Sequence, residues 1–371
     1  MADTGFKAIF DEALVRRLGS DLRTAWSPFD AEGLVAELAP LLPALEMKAR
    51  AHRIAEAVGA RLPEDFEAAA EIMVASLGPV PDASSANWAD FGIWPLTMVV
   101  EQRGLGHLEA SLAALHAMTQ RFTAEFAIRP FLRAHPEAVL ERLELWTEDG
   151  SEHVRRLVSE GTRTKLPWGG HLHSFIAQPE PVIALLERLK DDPAEYVRRS
   201  VANNLNDLSK DHAGRVVEVC EGWMVGASKD RARLVRHALR TLVKAGDVRA
   251  LTVLGFAGDA PVEASDFGWS RRVVLGGALE LSCVLTVRPE ATEAVPVVVD
   301  YIVHHQKKGG YTTPKTFKWT TRTLAPGQRV ELRKAHAMKA VTTRAYYPGG
   351  HRVEVVVNGA VVASGVFELV V

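Results

Sequence analysis

The stretch Val154-Arg155-Arg156-Leu157-Val158-Ser159-Glu160-Gly161-Thr162-Arg163-Thr164-Lys165-Leu166-Pro167-Trp168 decides how this chain reads. Written as a helix over 154–163, it places Val154, Leu157, Val158 and Gly161 at i, i+3, i+4 and i+7, an apolar face. Arg156, Glu160 and Arg163 then form a stripe on the other side. The pattern returns 43 residues later in Val197-Arg198-Arg199-Ser200-Val201-Ala202-Asn203-Asn204-Leu205-Asn206-Asp207, and a further 38 later in Val235-Arg236-His237-Ala238-Leu239-Arg240-Thr241-Leu242-Val243-Lys244. Such spacings approach the HEAT repeat of roughly 40–47 residues. In one register the polar stripes read Arg156/Glu160/Arg163, Arg199/Asn203/Asn206 and His237/Thr241/Lys244, which stacked repeats would join into a concave polar wall.

Working outward, the periodicity is helical from Phe6 to about Gly258, with breaks at Pro40, Pro63, Gly78-Pro79-Val80-Pro81, Gly104, Pro130, Pro136, Pro167, Pro179 and Pro193. Helical pairs are predicted at 137–149 with 151–163, 180–190 with 194–209, and 213–226 with 230–245. Residues 259–268 read as a linker. Beyond it, β-branched and aromatic runs at 279–287, 295–304, 316–324, 329–332, 353–357 and 361–370 alternate with turn signals, and Asn358-Gly359 is the two-residue type I′ signal. The predicted fold class is mostly α: a HEAT-like α-solenoid over 1–258, then a small all-β immunoglobulin-like sandwich over 269–371.

With 371 residues, 47% hydrophobic and 24% charged, the chain can bury ample core. Its start lacks the basic and apolar regions of a secretory signal, and no run approaches the roughly 18 apolar residues of a membrane span, so a cytoplasmic protein with no membrane partner is expected. Cys220 and Cys283 stand alone, without a metal-ligand spacing; His171/His173 and His304-His305 lack a third ligand, so no metal is expected. The net charge of −2 hides an asymmetry: residues 1–100 hold 8 Lys+Arg against 15 Asp+Glu, and residues 269–371 hold 14 against 7. DNA binding needs local positive surface, not a positive total, although domains also differ in charge for no such reason. Gln306-Lys307-Lys308-Gly309-Gly310-Tyr311 is basic and glycine-rich but lacks the phosphate-loop form, so no nucleotide cofactor is expected. Lys307, Lys308, Lys315 and Lys318 are candidate DNA-backbone contacts there; a solvated hairpin fits them equally.

The blocks Arg155 to Arg163 with Leu166-Pro167-Trp168, and Ser200-Val201-Ala202-Asn203-Asn204-Leu205-Asn206-Asp207-Leu208-Ser209-Lys210-Asp211-His212, resemble the AlkC branch of the AlkC/AlkD bacterial DNA glycosylases over roughly residues 1–250. One subfamily of that branch appends an immunoglobulin-like domain. The resemblance implies removal of N3-methyladenine and N3-methylcytosine from alkylated double-stranded DNA, with a solenoid that holds a bent duplex without flipping the lesion into a deep pocket. Position by position it points to Glu125, Glu160 and Asp207 as catalytic, Trp168 as the stacking residue, and Arg156 and Arg163 beside the substrate. Arg199 and Lys210 are further DNA contacts. Thr164-Lys165 stands where the resemblance would place Pro-Arg. A monomer without cofactor is the expected working form.

The chemistry suits these residue types. A cationic alkylated base is already a good leaving group, so charge develops on the sugar, where a preorganised carboxylate stabilises an oxocarbenium-like centre and orients or deprotonates water. Glu160 and Asp207 on adjacent repeats are expected to do this, with Glu125 completing an anionic pocket, Trp168 stacking and arginines neutralising phosphates. No motif places a Schiff-base lysine, so base removal without strand cleavage is the simpler expectation. Each residue has a plainer role open to it: a solvated Arg156–Glu160 pair, a turn-capping Asp207, a core-anchoring Trp168. A non-catalytic binder of bent or branched DNA and a protein-interaction scaffold remain the alternative functions.

Overall fold

The computed structural model describes residues 4–80, 91–256, 259–341 and 345–371; Met1–Asp3, Pro81 and Gly258 of the sequence reading lie outside them. The chain divides after Asp211 into two compact units. The first contains α1 (Thr4–Lys7), α2 (Glu12–Ala25), α3 (Ala31–Leu38), α4 (Met47–Gly59), α5 (Phe66–Ala75), α6 (Ile93–Arg103), α7 (Leu108–Thr119), α8 (Ile128–Ala134), α9 (Pro136–Trp146), α10 (Glu152–Gly161), α11 (His173–Ala177), α12 (Glu180–Leu189) and α13 (Glu195–Leu208). Helical pairs follow one another as an α-solenoid, and α13 packs on both α10 and α12.

The repeat seen in the sequence is a repeat of contacts. Arg155 Nη1 donates to the carbonyls of Asp149 (2.8 Å) and Gly150 (3.2 Å) in the turn before α10. Arg198 Nη1 donates to those of Asp192 (2.6 Å) and Pro193 (2.8 Å) before α13, at the same offsets. Arg155 also pairs with Asp192 (2.6 Å), which joins one repeat to the next. The apolar face over Val154, Leu157 and Val158 is fully buried, as its spacing predicts. Pro130 does not break a helix: it sits in the first turn of α8, and Pro136 opens α9, positions whose amides need no intrahelical partner.

The second unit holds α14 (Ala213–Met224), α15 (Lys229–Ala238), α16 (Arg240–Ala245), α17 (Val248–Val253) and eight strands: β1 (Val262–Trp269), β2 (Arg272–Val274), β3 (Ala278–Val287), β4 (Val295–Gln306), β5 (Thr312–Leu324), β6 (Arg329–Ala337), β7 (Gly349–Val357) and β8 (Ala360–Val370). The helix expected over 230–245 is interrupted at Leu239, where ψ rises to 0°. Sheets of order β1-β3-β6 and β2-β8-β7-β4-β5 enclose a core of Cys283, Leu285, Val297, Val299, Leu332 and Val355, so the C-terminal region is the expected immunoglobulin-like β domain.

The segment read as a linker is corrected by the pairing. Most of it is β1, which runs antiparallel to β3 from Val262↔Val287 to Trp269↔Leu281 with a register shift between Ser265 and Gly268. Glu263, Ser265 and Asp266 are outward positions of this edge strand, and their polarity hid it. The helices before it are fastened to the sandwich, with Leu251 and Phe256 packing on Val298. A Cβ at Gly359 would stand 2.8 Å from Leu251 Cδ1. Asn358 and Gly359 both have positive φ (46° and 83°), the type I′ turn that the Asn-Gly pair predicts.

Candidate active site

The site grows from the contact between α10 and α13. Ser200 Oγ donates to Glu160 Oε2 (2.6 Å), and Asn204 Nδ2 donates to the carbonyl of Ser159 (2.8 Å) and to Thr162 Oγ1 (3.0 Å). Seven residues on from Ser200, Asp207 accepts from Arg163 Nε at 2.8 Å. The face of α13 turned to α10 is therefore Ser200/Asn204/Asp207, one residue away from the Arg199/Asn203/Asn206 register expected, and Arg199 is exposed. These contacts bury Glu160 and Asp207, at 5% and 3% exposure, in a polar seam instead of leaving them on a solvated wall.

Arg163 joins the two carboxylates, pairing with Glu160 Oε1 at 2.6 Å through Nη1 as well as with Asp207. Burial opposes its charge, yet Glu160 and Asp207 outweigh that and hold its guanidinium above the ordinary arginine range. Lys210 takes the other oxygen of Asp207 (2.8 Å). Arg156 lies between Glu125 (3.1 Å) and Glu160 (3.7 Å), with its guanidinium carbon 4.8 Å from the Tyr196 ring centroid. Thr123 Oγ1 accepts from Arg156 (3.1 Å) and donates to Glu125 Oε2 (2.8 Å). Among the described residues, Glu125 keeps Oε1 without a hydrogen-bond partner, whereas both oxygens of Glu160 and of Asp207 are engaged.

A cleft of about 570 Å³ opens here, lined by Glu125, Glu160, Arg156, Arg163, Tyr196 and Trp168 over an aromatic floor of Phe91, Trp94, Phe122 and Phe126. Asp207 stands behind Arg163 and reaches the cleft through it. Trp168 is no core anchor: it is 73% exposed, and its φ of 66° puts a bulky side chain in the left-handed region. That conformation costs about 1–3 kcal/mol and persists only where the surroundings enforce it.

The enforcing residue is Arg129, 1% exposed on α8. Its Nη1 donates to the carbonyls of Gly161 (2.9 Å) and Arg163 (2.7 Å), and its Nη2 to that of Gly170, so both ends of the Trp168 loop hang on one side chain. Burial lowers its pKa to about 10, which leaves it charged at neutral pH. Gly161 permits the approach, since a Cβ there would stand 2.6 Å from Ile128 Cγ2. In the same loop, Lys165 pairs with Asp211 (2.7 Å). Arg129, Ser200, Asn204 and Tyr196 were not singled out in the sequence. A lone arginine inside Ala127-Ile128-Arg129-Pro130-Phe131-Leu132, and the i, i+4, i+8 run Tyr196-Ser200-Asn204, are the signals that point to them.

Lys307, Lys308 and Lys315 lie in the second unit on the β4–β5 hairpin, with Lys315 Nζ 5.4 Å from the Phe317 ring centroid. Among the described residues no group of His, Cys, Asp or Glu could hold a metal, and no helix is long and apolar enough to cross a membrane.

Comparison with known proteins fixes the family. Residues 264–371 match the family model described as "Uncharacterised protein YhaZ, C-terminal Ig-like domain". The Bacillus subtilis (strain 168) protein YhaZ is 33% identical over 371 residues, covering 100% of both chains. The solved structure of Pseudomonas fluorescens alkylpurine DNA glycosylase AlkC, bound to DNA containing an abasic site analog, superposes with a TM-score of 0.86 at 35% identity over 99% of each chain. The chain belongs to the AlkC branch of the AlkC/AlkD family. Within that branch it carries the appended immunoglobulin-like domain, and the solenoid that holds Glu125, Glu160, Trp168 and Asp207 is covered by the AlkC match.

Proposed function

We propose that this AlkC-family chain is a DNA glycosylase that hydrolyses the N-glycosidic bond of cationic alkylated bases, N3-methyladenine and N3-methylcytosine, in duplex DNA. The observation that carries the reading is one cleft in which two carboxylates, Glu125 and Glu160, stand with an exposed, conformationally forced Trp168. A cationic base stacked on the indole gains π and cation–π contact while the carboxylates offset its charge. As the bond breaks, positive charge moves to the deoxyribose. Glu125, with an unengaged oxygen, orients or deprotonates the attacking water, and Glu160, fixed by Arg163 and Ser200, supplies a preorganised negative field.

Asp207 acts through Arg163, fixing the guanidinium that fixes Glu160. The arginines and lysines that line the cleft are Arg121, Arg156 and Arg163, guanidinium groups and not Schiff-base nucleophiles, which favours base release without strand cleavage. Arg199, Lys210, Lys307, Lys308 and Lys315 are proposed backbone contacts, and the enzyme is proposed to act as a monomer without flipping the lesion. The full chain incubated with duplex DNA carrying N3-methyladenine should release free base and leave alkali-labile sites with strands intact until alkali is added. Binding without release would favour a non-catalytic DNA binder, a reading to which the fully engaged oxygens of Glu160 and Asp207 lend some weight.

A further inference from the structure

Trp168 borders a second cavity besides the cleft that holds Glu125 and Glu160. This one, about 160 Å³, is lined by Lys48 and His52 of α4, Glu101 of α6, Arg133 of α8, and Trp168 and Gly170. The character of its cations is the informative feature. Arg156, Arg163, Lys165 and Lys210 are all committed to carboxylates, and Arg129 to backbone carbonyls. Lys48 and Arg133 are exposed and make no hydrogen bond or ion pair among the described residues. The Arg133 guanidinium lies beside the Trp168 loop, with Nη2 3.4 Å from where a Cβ on Gly170 would stand. Glu101 lines the same cavity and forms no ion pair with either cation among the described residues. Burial pushes its carboxyl up, while Lys48 and Arg133 pull it back down.

A nucleotide that carries a cationic base is bipolar, with positive charge on the base and negative charge on the phosphodiester. Trp168 lines both cavities, one holding the carboxylates Glu125 and Glu160 with their arginine partners and the other the uncommitted cations Lys48 and Arg133, an arrangement that suits that polarity. We propose that the cavity between Lys48 and Arg133 is a phosphodiester site, which grips the DNA backbone next to the nucleoside stacked on the other side of Trp168. Unpaired cations suit this role because they need not break an existing ion pair before taking a phosphate oxygen. The inference rests on the proposed action on DNA and adds the anchor for the strand that carries the lesion.

The test is the salt dependence of binding by the full-length chain to an undamaged duplex, measured by fluorescence anisotropy. Each phosphate contact on B-DNA adds about 0.9 to the slope of log K against log salt. The double variant Lys48→Gln, Arg133→Gln should lose about 1.8 from that slope, and each single variant about half as much. Arg188→Gln, which removes a paired arginine outside the cavity, should leave the slope as it is. Glu101→Gln separates the possible ligand types: removing a negative charge from an anion site should tighten binding severalfold, whereas weaker binding would mean that the cavity receives a cation. A wild-type chain that binds DNA with a slope unaltered in the double variant overturns this site alone. A wild-type chain with no DNA affinity overturns the functional reading beneath it as well. Lys48 and Arg133 are exposed and have no partner among the described residues, so melting curves should match the parent, and a matching melt with a reduced slope cannot be assigned to misfolding.

Discussion

Arg129→Met offers a direct test of how the loop carrying Trp168 is held. The substitution keeps much of the side-chain volume and removes the three donated hydrogen bonds, leaving the carbonyls of Gly161, Arg163 and Gly170 without their donor. A charged hydrogen bond contributes about 1.5–3 kcal/mol, and a buried acceptor left unsatisfied costs about 1–3 kcal/mol. Water can reach the Gly170 end of the loop, so the two buried carbonyls dominate. A loss of about 3–5 kcal/mol follows, within the range for breaking a buried charged interaction. For a unit of this size each kcal/mol moves the melting midpoint by about 2–4 °C, so a fall of roughly 6–20 °C is expected by calorimetry. Arg129→Lys should recover part of it, because the ammonium can still serve one or two of the carbonyls. A loss below about 1 kcal/mol in Arg129→Met would show that the loop is held by something else, and the account of the Trp168 conformation would fail.

Trp168→Gly should separate stability from binding: relief of the left-handed φ makes the chain about 1 kcal/mol more stable in denaturant titration, while loss of stacking weakens damaged-DNA affinity by about 1–3 kcal/mol. The prediction fails if both change in the same direction. Gly161→Ala should destabilise by about 1–3 kcal/mol, because the new Cβ meets Ile128 Cγ2 at 2.6 Å; an unchanged melting curve would contradict that contact. His351 is buried, stacked on Phe367 at 5.3 Å, and bonded through Nε2 to the Tyr347 carbonyl at 3.0 Å. Burial lowers its pKa in the folded state, so its contribution to stability is present above the unfolded value near 6.5 and is lost as pH falls through the folded value. His351→Phe should therefore flatten the acid limb of the stability curve below about pH 6.5, and parallel acid limbs for parent and variant would refute the assignment.

The fold was legible where hydropathy changes with position. Val154/Leu157/Val158 and Val197/Val201/Leu205 are buried as their spacing requires, and Asn358-Gly359 needs two positive φ values that few other dipeptides tolerate. Strand β1 was missed because an edge strand needs little apolar surface and Glu263, Ser265 and Asp266 carry its outward positions. The site was half legible for a related reason. Periodicity separates apolar from polar faces but not a polar face packed on a neighbouring helix from one in solvent, so Ser200 and Asn204 went unnoticed and Arg199 stood in their register. Nor does any local pattern announce that Arg129 will reach carbonyls 32 to 41 residues away. The left-handed turn at Trp168 is a product of that long-range grip, so it too is invisible in the string Leu166-Pro167-Trp168-Gly169.

Bond cleavage is proposed to be carried out by the carboxylates in the Trp168 cleft. Single-turnover release of N3-methyladenine from duplex DNA, with enzyme in excess, measures the chemical step for the parent, Glu125→Gln and Glu160→Gln. Each variant should still bind the abasic product duplex and lose about 100-fold or more in rate, the scale for removing one preorganised electrostatic group from a reacting centre. Parent-like rates in both variants would contradict the proposal.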